Sequence, residues 1–179
     1  MKRLAVACGL SALLAGASAA SDYTEGYRAY QRGDFETARR GFLRGAKNGD
    51  ARAQYHLAFM AYTGLGGARS AKSAVRWALL AANSGMIKAM VLAGSILAEA
   101  AGPRFDPVEA QKWFNLAASR AYLSWPESPG GMRHNWEAAA EKMWLIQNRM
   151  SESQIREAIR RARAWKAKRR GLEKRPHPG

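Results

Sequence analysis

A period of 36 residues runs through the chain and limits what it can fold into. Three windows align on it: residues 34–49 (DFETARRGFLRGAKNG), 70–85 (SAKSAVRWALLAANSG) and 106–121 (DPVEAQKWFNLAASRA). Alanine recurs in register near both ends of the windows, at Ala38, Ala74 and Ala110 and again at Ala46, Ala82 and Ala118. A unit of this length cannot bury both of its faces alone, so the copies must stack on one another.

Each unit has the pattern of a helical hairpin. Two runs of small and apolar residues at spacings of three and four are separated by a break that contains glycine. The spacing indicates helices and the break indicates a turn, and windows rich in Ala, Lys and Arg favour helix over strand. The sequence therefore predicts an all-α fold, an α-solenoid of about three helical hairpins.

The units resemble the Sel-one-like repeat (SLR), a relative of the tetratricopeptide repeat. Residues 53–85 carry its pattern as Leu57, Ala58, Gly64, Gly66, Ala74, Trp77, Ala81, Ala82 and Gly85. Residues 89–121 carry it as Gly94, Gly102, Asp106, Ala110, Trp113, Phe114, Ala117 and Ala118. Residues 22–49 are closer to a tetratricopeptide unit, with Gly26, Gly33, Asp34, Phe35, Ala38 and Phe42. The resemblance implies an exported bacterial protein that binds protein partners.

The repeats of residues 21–122 are followed by a different pattern. Residues 123–134 are expected to form a loop, because they contain the helix-breaking set Pro126, Pro129, Gly130 and Gly131. Two helices over 135–165 are expected to cap the array, and Ser151 to Gln154 predict a capping box at the start of the second. The basic segment 166–179 lacks a core-facing pattern, so we expect it to be disordered.

The first twenty residues have the layout of a cleaved signal peptide. Two basic residues precede an apolar run over residues 4–14, and an Ala-x-Ala site at Ala17 and Ala19 follows. We expect cleavage after residue 19 or 20 and a mature protein that is periplasmic or secreted. A lipid on Cys8 is the alternative, but this cysteine lies too close to the N-terminus for a complete signal to precede it.

The residue types that carry most enzyme chemistry are scarce. Cys8 is the only cysteine, so a mature chain would have no disulfide, no thiolate metal site and no cysteine nucleophile. There is no Gly-x-Ser-x-Gly and no Ser-x-x-Lys motif. No pair of histidines has a spacing typical of metal ligands, the three being His56, His134 and His177. We therefore predict no catalytic residues, no cofactor and no metal.

The run GLGGARSAKS, residues 64–73, differs by one residue from a phosphate-binding loop, since Ala71 stands where the second glycine belongs. Such a loop follows a β-strand, whereas no β-branched strand precedes Gly64, and residues 100–109 of the next repeat lack the Lys-Ser pair. We interpret the run as a turn between two helices, with glycines that allow positive φ. Neither a nucleotide nor a small-molecule substrate is expected.

Tyrosine concentrates on the first helix of each predicted hairpin, where five of the six tyrosines fall. In tetratricopeptide-type hairpins this helix lines the concave surface, so the resemblance implies a groove there. Aromatic and arginine side chains are the usual anchors of protein interfaces. The predicted partner-binding residues are Tyr23, Tyr27, Tyr30, Arg52, Tyr55, Phe59, Tyr62 and Lys88. The alternative is that several of the tyrosines belong to the core between helices.

The chain is strongly basic, with 29 Lys and Arg against 14 Asp and Glu. Residues 155–179 alone carry ten basic and two acidic side chains. Nucleic acid is the usual partner of such a segment, but an exported protein rarely meets it, so anionic lipid, polysaccharide or an acidic protein is favoured. The predicted anionic-surface residues are Arg156, Arg160, Arg161, Arg163, Lys166, Lys168, Arg169 and Arg170.

Three functions remain, in order. The first is a protein–protein interaction adaptor that binds a partner of unknown identity through the concave face. The second is an envelope-surface binder of anionic lipid or polysaccharide, acting through the basic C-terminal helix and tail. The third is a hydrolase: some exported members of the repeat family are linked to β-lactam binding, but they resemble disulfide-laced chains, which this one does not. No enzymatic activity is predicted.

Overall fold

The computed structural model describes residues 22–99, 106–123 and 129–173. These residues form helices and turns, and no strand occurs among them. Within these ranges the helices are α1 (22–31), α2 (Phe35–Lys47), α3 (Ala51–Thr63), α4 (Ala71–Asn83), α5 (Ile87–Glu99), α6 (Pro107–Leu123), α7 (Pro129–Gln147) and α8 (Glu152–Glu173). The predicted all-α fold is confirmed.

The second helix of every repeat begins at a capping side chain that follows the 36-residue period. Asp34 accepts a hydrogen bond from the Thr37 amide at 3.1 Å. Ser70 accepts one from the Ser73 amide at 3.3 Å, and Asp106 accepts one from the Glu109 amide at 2.8 Å. Each bond satisfies a backbone donor that the first turn leaves without an intrahelical acceptor. The repeat therefore fixes where α2, α4 and α6 start.

The turn between α3 and α4 covers residues 64–70, and the rest of the run 64–73 lies in the first turn of α4. Gly64 ends α3 with φ 84°, and Gly66 has φ 69°. A Cβ atom on Gly66 would lie 2.5 Å from the carbonyl oxygen of Phe35. Only glycine combines that backbone conformation with so close an approach. The interpretation of this run as an inter-helix turn is confirmed.

The structure divides into two compact units between Ala89 and Met90. In the first unit, Phe42 and Met60 are fully buried, and Trp77 packs against the same core. The other buried members of this cluster are small or aliphatic: Ala29, Ala38, Ala46, Ala53 and Leu57. Small side chains at these positions let the helices of the hairpins approach closely.

In the second unit, Phe114 and Ile146 form a core with Ala110. The backbone of α5 approaches this core directly, because a Cβ atom on Gly94 would lie 2.6 Å from the Phe114 ring. The period-matched alanines of all three repeats, Ala38, Ala74 and Ala110, have no exposed surface. Their equal burial agrees with the alignment of the three windows, which places these alanines at equivalent positions of the repeats.

The predicted loop over residues 123–134 is too long. Helix α7 begins at Pro129, so residues 129–134 are helical, while residues 124–128 lie outside the described part. Proline fits the first position of a helix because its fixed φ is already helical and its missing N–H is not needed there. The two glycines that follow cost about 1 kcal/mol each relative to alanine, which nineteen helical residues can offset.

The predicted end of the last helix at residue 165 is also wrong. The capping box is confirmed, since the Gln154 side chain accepts from the Ser151 amide at 2.8 Å and the Ser151 hydroxyl accepts from the Gln154 amide at 3.3 Å. Helix α8 then continues to Glu173. Lys, Arg and Ala are strong helix formers and need no core contact to prolong a helix that is already nucleated. The rest of the expected tail, 174–179, and the expected signal, 1–20, lie outside the described residues.

Candidate partner-binding site

Five aromatic rings surround His56 in the first unit. The His56 ring centroid lies 4.8 Å from that of Phe42, 5.3 Å from Tyr55 and 5.6 Å from both Tyr27 and Tyr30. Tyr23 completes the group at 5.9 Å. We call this set the aromatic cluster: Tyr23, Tyr27, Tyr30, Phe42, Tyr55 and His56.

Helix geometry explains why the cluster forms. Tyr23, Tyr27 and Tyr30 are spaced four and three residues apart on α1, which puts them on one face of that helix. His56 projects from α3 and stacks nearly parallel on Phe42 of α2, with 11° between the ring planes. Three helices therefore contribute rings to one place, although their residues lie far apart in sequence.

The cluster extends from the core to the surface. Phe42 is fully buried at its inner end, and Tyr27 is 37% exposed at its outer end. Tyr23 and Tyr30 are half-buried and pack against the core of the first unit. Several of the tyrosines therefore support the core, as the alternative expects, and the same rings present an aromatic face to solvent. Partner binding by these residues stays a prediction.

A cation lies on the aromatic face. The guanidinium carbon of Arg52 is 4.2 Å from the Tyr23 ring centroid, a cation–π geometry. Its Nη2 atom pairs with the Asp50 carboxylate at 2.8 Å. Burial raises the pKa of Asp50, but hydrogen bonds from the Arg52 side chain and from the Arg52 and Ala53 amides outweigh it and hold this pKa below its ordinary value. Asp50 is thus ionised and fixes Arg52 in position.

His56 is neutral at physiological pH. Burial disfavours the charged ring, and the positive charge of Lys88 acts in the same direction, so the pKa of His56 is lowered to about 4. Burial also raises the pKa of the Tyr55 hydroxyl. The cluster therefore presents neutral rings and hydroxyl groups, with its positive charge supplied by Arg52 and Lys88.

The structure brings together most, not all, of the predicted partner-binding residues. Tyr23, Tyr27, Tyr30, Tyr55 and Arg52 meet at the cluster, and Lys88 is near enough to shift the pKa of His56. The other two predicted positions, Phe59 and Tyr62, follow on α3.

Phe59 is half-buried on α3. Tyr62 lies beside Arg69, whose guanidinium carbon is 5.3 Å from its ring centroid. The sequence interpretation missed the central position of His56. Its spacing could have revealed it, since Arg52, His56 and Phe59 share one helical face.

The predicted anionic-surface residues are largely engaged within the protein. Arg156 pairs with Glu152 at 3.0 Å, while Arg160 and Arg161 pair with Glu157 at 2.7 and 2.8 Å. Hydrogen bonds from these last two arginines lower the pKa of Glu157 to about 2.

The remaining predicted cations of α8 differ in their surroundings. Arg163 is exposed, and Lys166 donates to the Ser119 hydroxyl. The side chains of Lys168, Arg169 and Arg170 lie outside the described ones. Across the described ranges, no three His, Cys, Asp or Glu side chains are grouped as a metal site would need. None of the described helices combines the length and the apolar character needed to cross a membrane.

Comparison with known proteins gives matches at the level of structure. No protein-family model matches the sequence, and no curated protein matches it. One similar solved structure is a protective antigen of uropathogenic Escherichia coli strains that displays an SLR fold, with a TM-score of 0.69 and 20% identity over 90% of this chain and 34% of that chain. Another is a Sel1 repeat protein from Oxalobacter formigenes, with a TM-score of 0.52 and 24% identity over 67% of this chain and 55% of that chain.

The chain thus spans about a third of the first protein and about half of the second. Sequence identities this low carry the fold and nothing further about activity or partners. The likeness agrees with the all-helical repeat fold described above. The protein has the SLR-type helical-repeat fold.

Proposed function

We propose that this protein is an exported protein–protein interaction scaffold that binds its partner through the aromatic cluster and the cations beside it. The observation that carries the proposal is the convergence of six rings, of which Tyr27 is 37% exposed and Tyr23 lies under the Arg52 guanidinium. Tyrosine and arginine are enriched where protein interfaces concentrate their binding energy. A surface of this composition suits a protein partner.

The binding surface is held in place before a partner arrives. Arg44 of α2 pairs with Asp22 at 2.9 Å and with Glu25 at 2.6 Å, both on α1, which fixes the helix that carries three of the tyrosines. Asp50 caps α3 and holds Arg52. Because these contacts already hold Arg52 and α1 in place, less side-chain ordering is needed on binding, and this part of the entropic cost of association is reduced.

The chemistry of the cluster supports recognition rather than a reaction. His56 is neutral and half-buried against Phe42, with the cation Lys88 nearby. Such a ring is suited to stacking and hydrogen bonding. The proposal therefore assigns no catalytic step to this protein, in line with a scaffold built from helical repeats.

The proposal is tested by identifying a partner in bacterial envelope extracts and then measuring its dissociation constant for purified variants. Tyr27→Ala, at the exposed end of the cluster, should weaken binding by about tenfold or more. Tyr62→Ala is the matched control, because this tyrosine lies beside Arg69 and not at His56; it should leave the affinity unchanged. Equal affinities for the parent and Tyr27→Ala would remove the cluster from the interface.

Envelope-surface binding through α8 has less support. Arg156, Arg160 and Arg161 already pair with carboxylates of the same helix, so binding an anionic surface would compete with these pairs. Exposed ion pairs of this kind contribute little stability each, so they reduce the affinity for an anionic surface without preventing binding to it. Co-sedimentation with vesicles of anionic lipid tests this second function directly.

A further inference from the structure

A pocket lies in the first unit, and its lining is separate from the aromatic cluster. The pocket has a volume of about 370 Å³ and is formed by α2, α3, α4 and the turn between α3 and α4. None of the six cluster residues lines it. The walls combine apolar side chains, among them Leu43, Met60 and Trp77, with the guanidinium groups of Arg39 and Arg76.

The charge of this pocket is uncompensated. Arg39 and Arg76 are both exposed, and none of the lining residues is acidic. Other arginines of the same unit hold carboxylates, as Arg40 does with Glu36 at 3.1 Å, whereas within the described ranges neither lining arginine forms an ion pair. The guanidinium carbon of Arg76 lies 5.1 Å from the Trp77 ring centroid. Two arginines thus line one pocket, and none of its described lining residues supplies a carboxylate.

The apolar walls restrict which anion would be bound well. Leu43 and Trp77 line the pocket and are half-buried, so each of them keeps some exposed apolar surface. A small hydrated anion would leave this apolar surface exposed to water. A ligand with an apolar group next to its charge would cover the walls and neutralise the arginines together.

We propose that this pocket binds a carboxylate attached to an apolar group of about the size of an amino-acid side chain. Arg39 and Arg76 would hold the carboxylate, and Leu43 and Trp77 would contact the apolar group. The pocket volume lies near the lower end of the range of about 300–1,000 Å³ for ligand sites, which favours a ligand of this size over a long chain. The site goes beyond the proposed scaffold function, which uses other side chains.

Residues 64–73, the run that resembles a phosphate-binding loop, form part of the pocket wall. The serines of this run stabilise the start of α4. Ser70 accepts a hydrogen bond from the Ser73 amide, and its hydroxyl lies 3.2 Å from that of Ser73. These groups cap α4. Recognition of the anion is therefore assigned to the arginine side chains, whose planar guanidinium groups match the geometry of a carboxylate.

The first test is calorimetric titration of the full chain with N-acetyl-leucine and three matched compounds. N-acetyl-leucinamide keeps the apolar group and lacks the charge, while acetate and inorganic phosphate keep a charge and lack the apolar group. We expect saturable binding of N-acetyl-leucine and at least roughly tenfold weaker binding of the other three. If the amide, acetate or phosphate bound as tightly as N-acetyl-leucine, the proposal would be wrong.

The second test locates the site. Arg39→Gln and Arg76→Gln should each weaken binding of N-acetyl-leucine by roughly tenfold. Arg32→Gln is the matched control, since it removes the same charge from an exposed arginine that does not line the pocket, and its affinity should equal that of the parent. Equal losses in all three variants would indicate unspecific attraction by a basic protein and would overturn the site.

The third test separates the two sources of such a carboxylate. An N-acetylated tetrapeptide that ends in leucine is compared with N-acetyl-leucine and with the same peptide amidated at its C-terminus. Tighter binding of the free peptide indicates the C-terminus of a protein, and equal binding indicates a free small carboxylate; both keep the proposed chemistry. Binding of the amidated peptide as tightly as the free one contradicts it.

Discussion

His56 carries less charge in the folded protein than in the unfolded chain over a mildly acidic range. Its pKa falls from 6.5 to about 4 on folding. Between these two values the unfolded chain binds more protons, so the free energy of unfolding decreases as the pH falls through this window. Above pH 6.5 both states are neutral at this residue and the contribution is fully present.

We predict that His56→Phe removes this pH dependence, because phenylalanine keeps the stacking on Phe42 and cannot be protonated. The free energy of unfolding of the parent, measured with urea, should fall by roughly 2 kcal/mol more than that of the variant between pH 7 and pH 4. This value is reduced for the partial exposure of the ring. Identical pH profiles of the two proteins would show that His56 is not buried as described.

Gly66 is the residue at which a single methyl group should do most harm. Its φ of 69° and the 2.5 Å approach of a Cβ atom to the Phe35 carbonyl oxygen act together. We expect Gly66→Ala to lower the free energy of unfolding by roughly 1–3 kcal/mol. Gly67→Ala serves as the control in the same urea experiment, since its Cβ would approach nothing closer than Arg39 at 3.8 Å and should change stability little.

At the scale of helices, a start marked by a capping side chain is visible in the sequence, whereas a boundary without such a side chain is not. Asp34, Ser70 and Asp106 mark the starts of α2, α4 and α6 in the sequence because capping depends on a side chain a few residues away. The helical extension to Glu173 and the start of α7 at Pro129 were missed. Both depend on balances of helix propensity and packing that no single residue reveals.

In the aromatic cluster, the spacing of residues on one helix was predictable from the sequence, whereas the packing between helices was not. The spacing of Tyr23, Tyr27 and Tyr30 places them on one face of α1 from sequence alone. Their meeting with His56 and Phe42 depends on the packing of α1 against α2 and α3. The sequence analysis therefore named the participating tyrosines and missed His56, the ring at the centre.

The repeat register gives a prediction at the level of one helix. Ala74 of α4 has no exposed surface, so Ala74→Leu should overpack the helix contact and cost roughly 1–3 kcal/mol of unfolding free energy. Ala164→Leu makes the same change at an exposed helical position and should be nearly neutral. Urea curves that coincide for the parent and Ala74→Leu would mean that the alanines do not mark close packing.

For the whole molecule, the aromatic and the basic surfaces belong to different units. The aromatic cluster lies before residue 89, and α8 lies after it. We expect deletion of residues 167–179 to lower the association rate of a protein partner and its salt sensitivity, with the dissociation rate unchanged, because charge acts mainly on encounter. Surface plasmon resonance at two salt concentrations measures both rates.

The aromatic cluster should act mainly on the dissociation rate. Tyr27→Ala is expected to raise the dissociation rate and to leave the salt dependence unchanged, since contact residues affect mainly dissociation. Loss of all binding on the deletion, together with an unaffected Tyr27→Ala variant, would favour envelope-surface binding over the scaffold function.

The N-terminal residue of the recovered protein tests whether the protein is exported through a cleaved signal peptide. We predict that protein recovered from the periplasm or medium starts at Ala20 or Ser21, because a short apolar run and an Ala-x-Ala site precede these residues. Edman sequencing or intact mass gives the answer. A chain that retains Met1, or a lipid attached to Cys8, contradicts the prediction.

The caps that recur at Asp34, Ser70 and Asp106 have a consequence for how such a chain can change its length. Each second helix carries its own start signal, and each unit brings its own turn. If a segment of 36 residues were copied in register before Ser70, both of its ends would adjoin the same kinds of residues as the existing repeats do. A copy one residue shorter would instead rotate every following side chain by about 100° on its helix. Gene duplication in whole units could extend this protein without redesigning any junction.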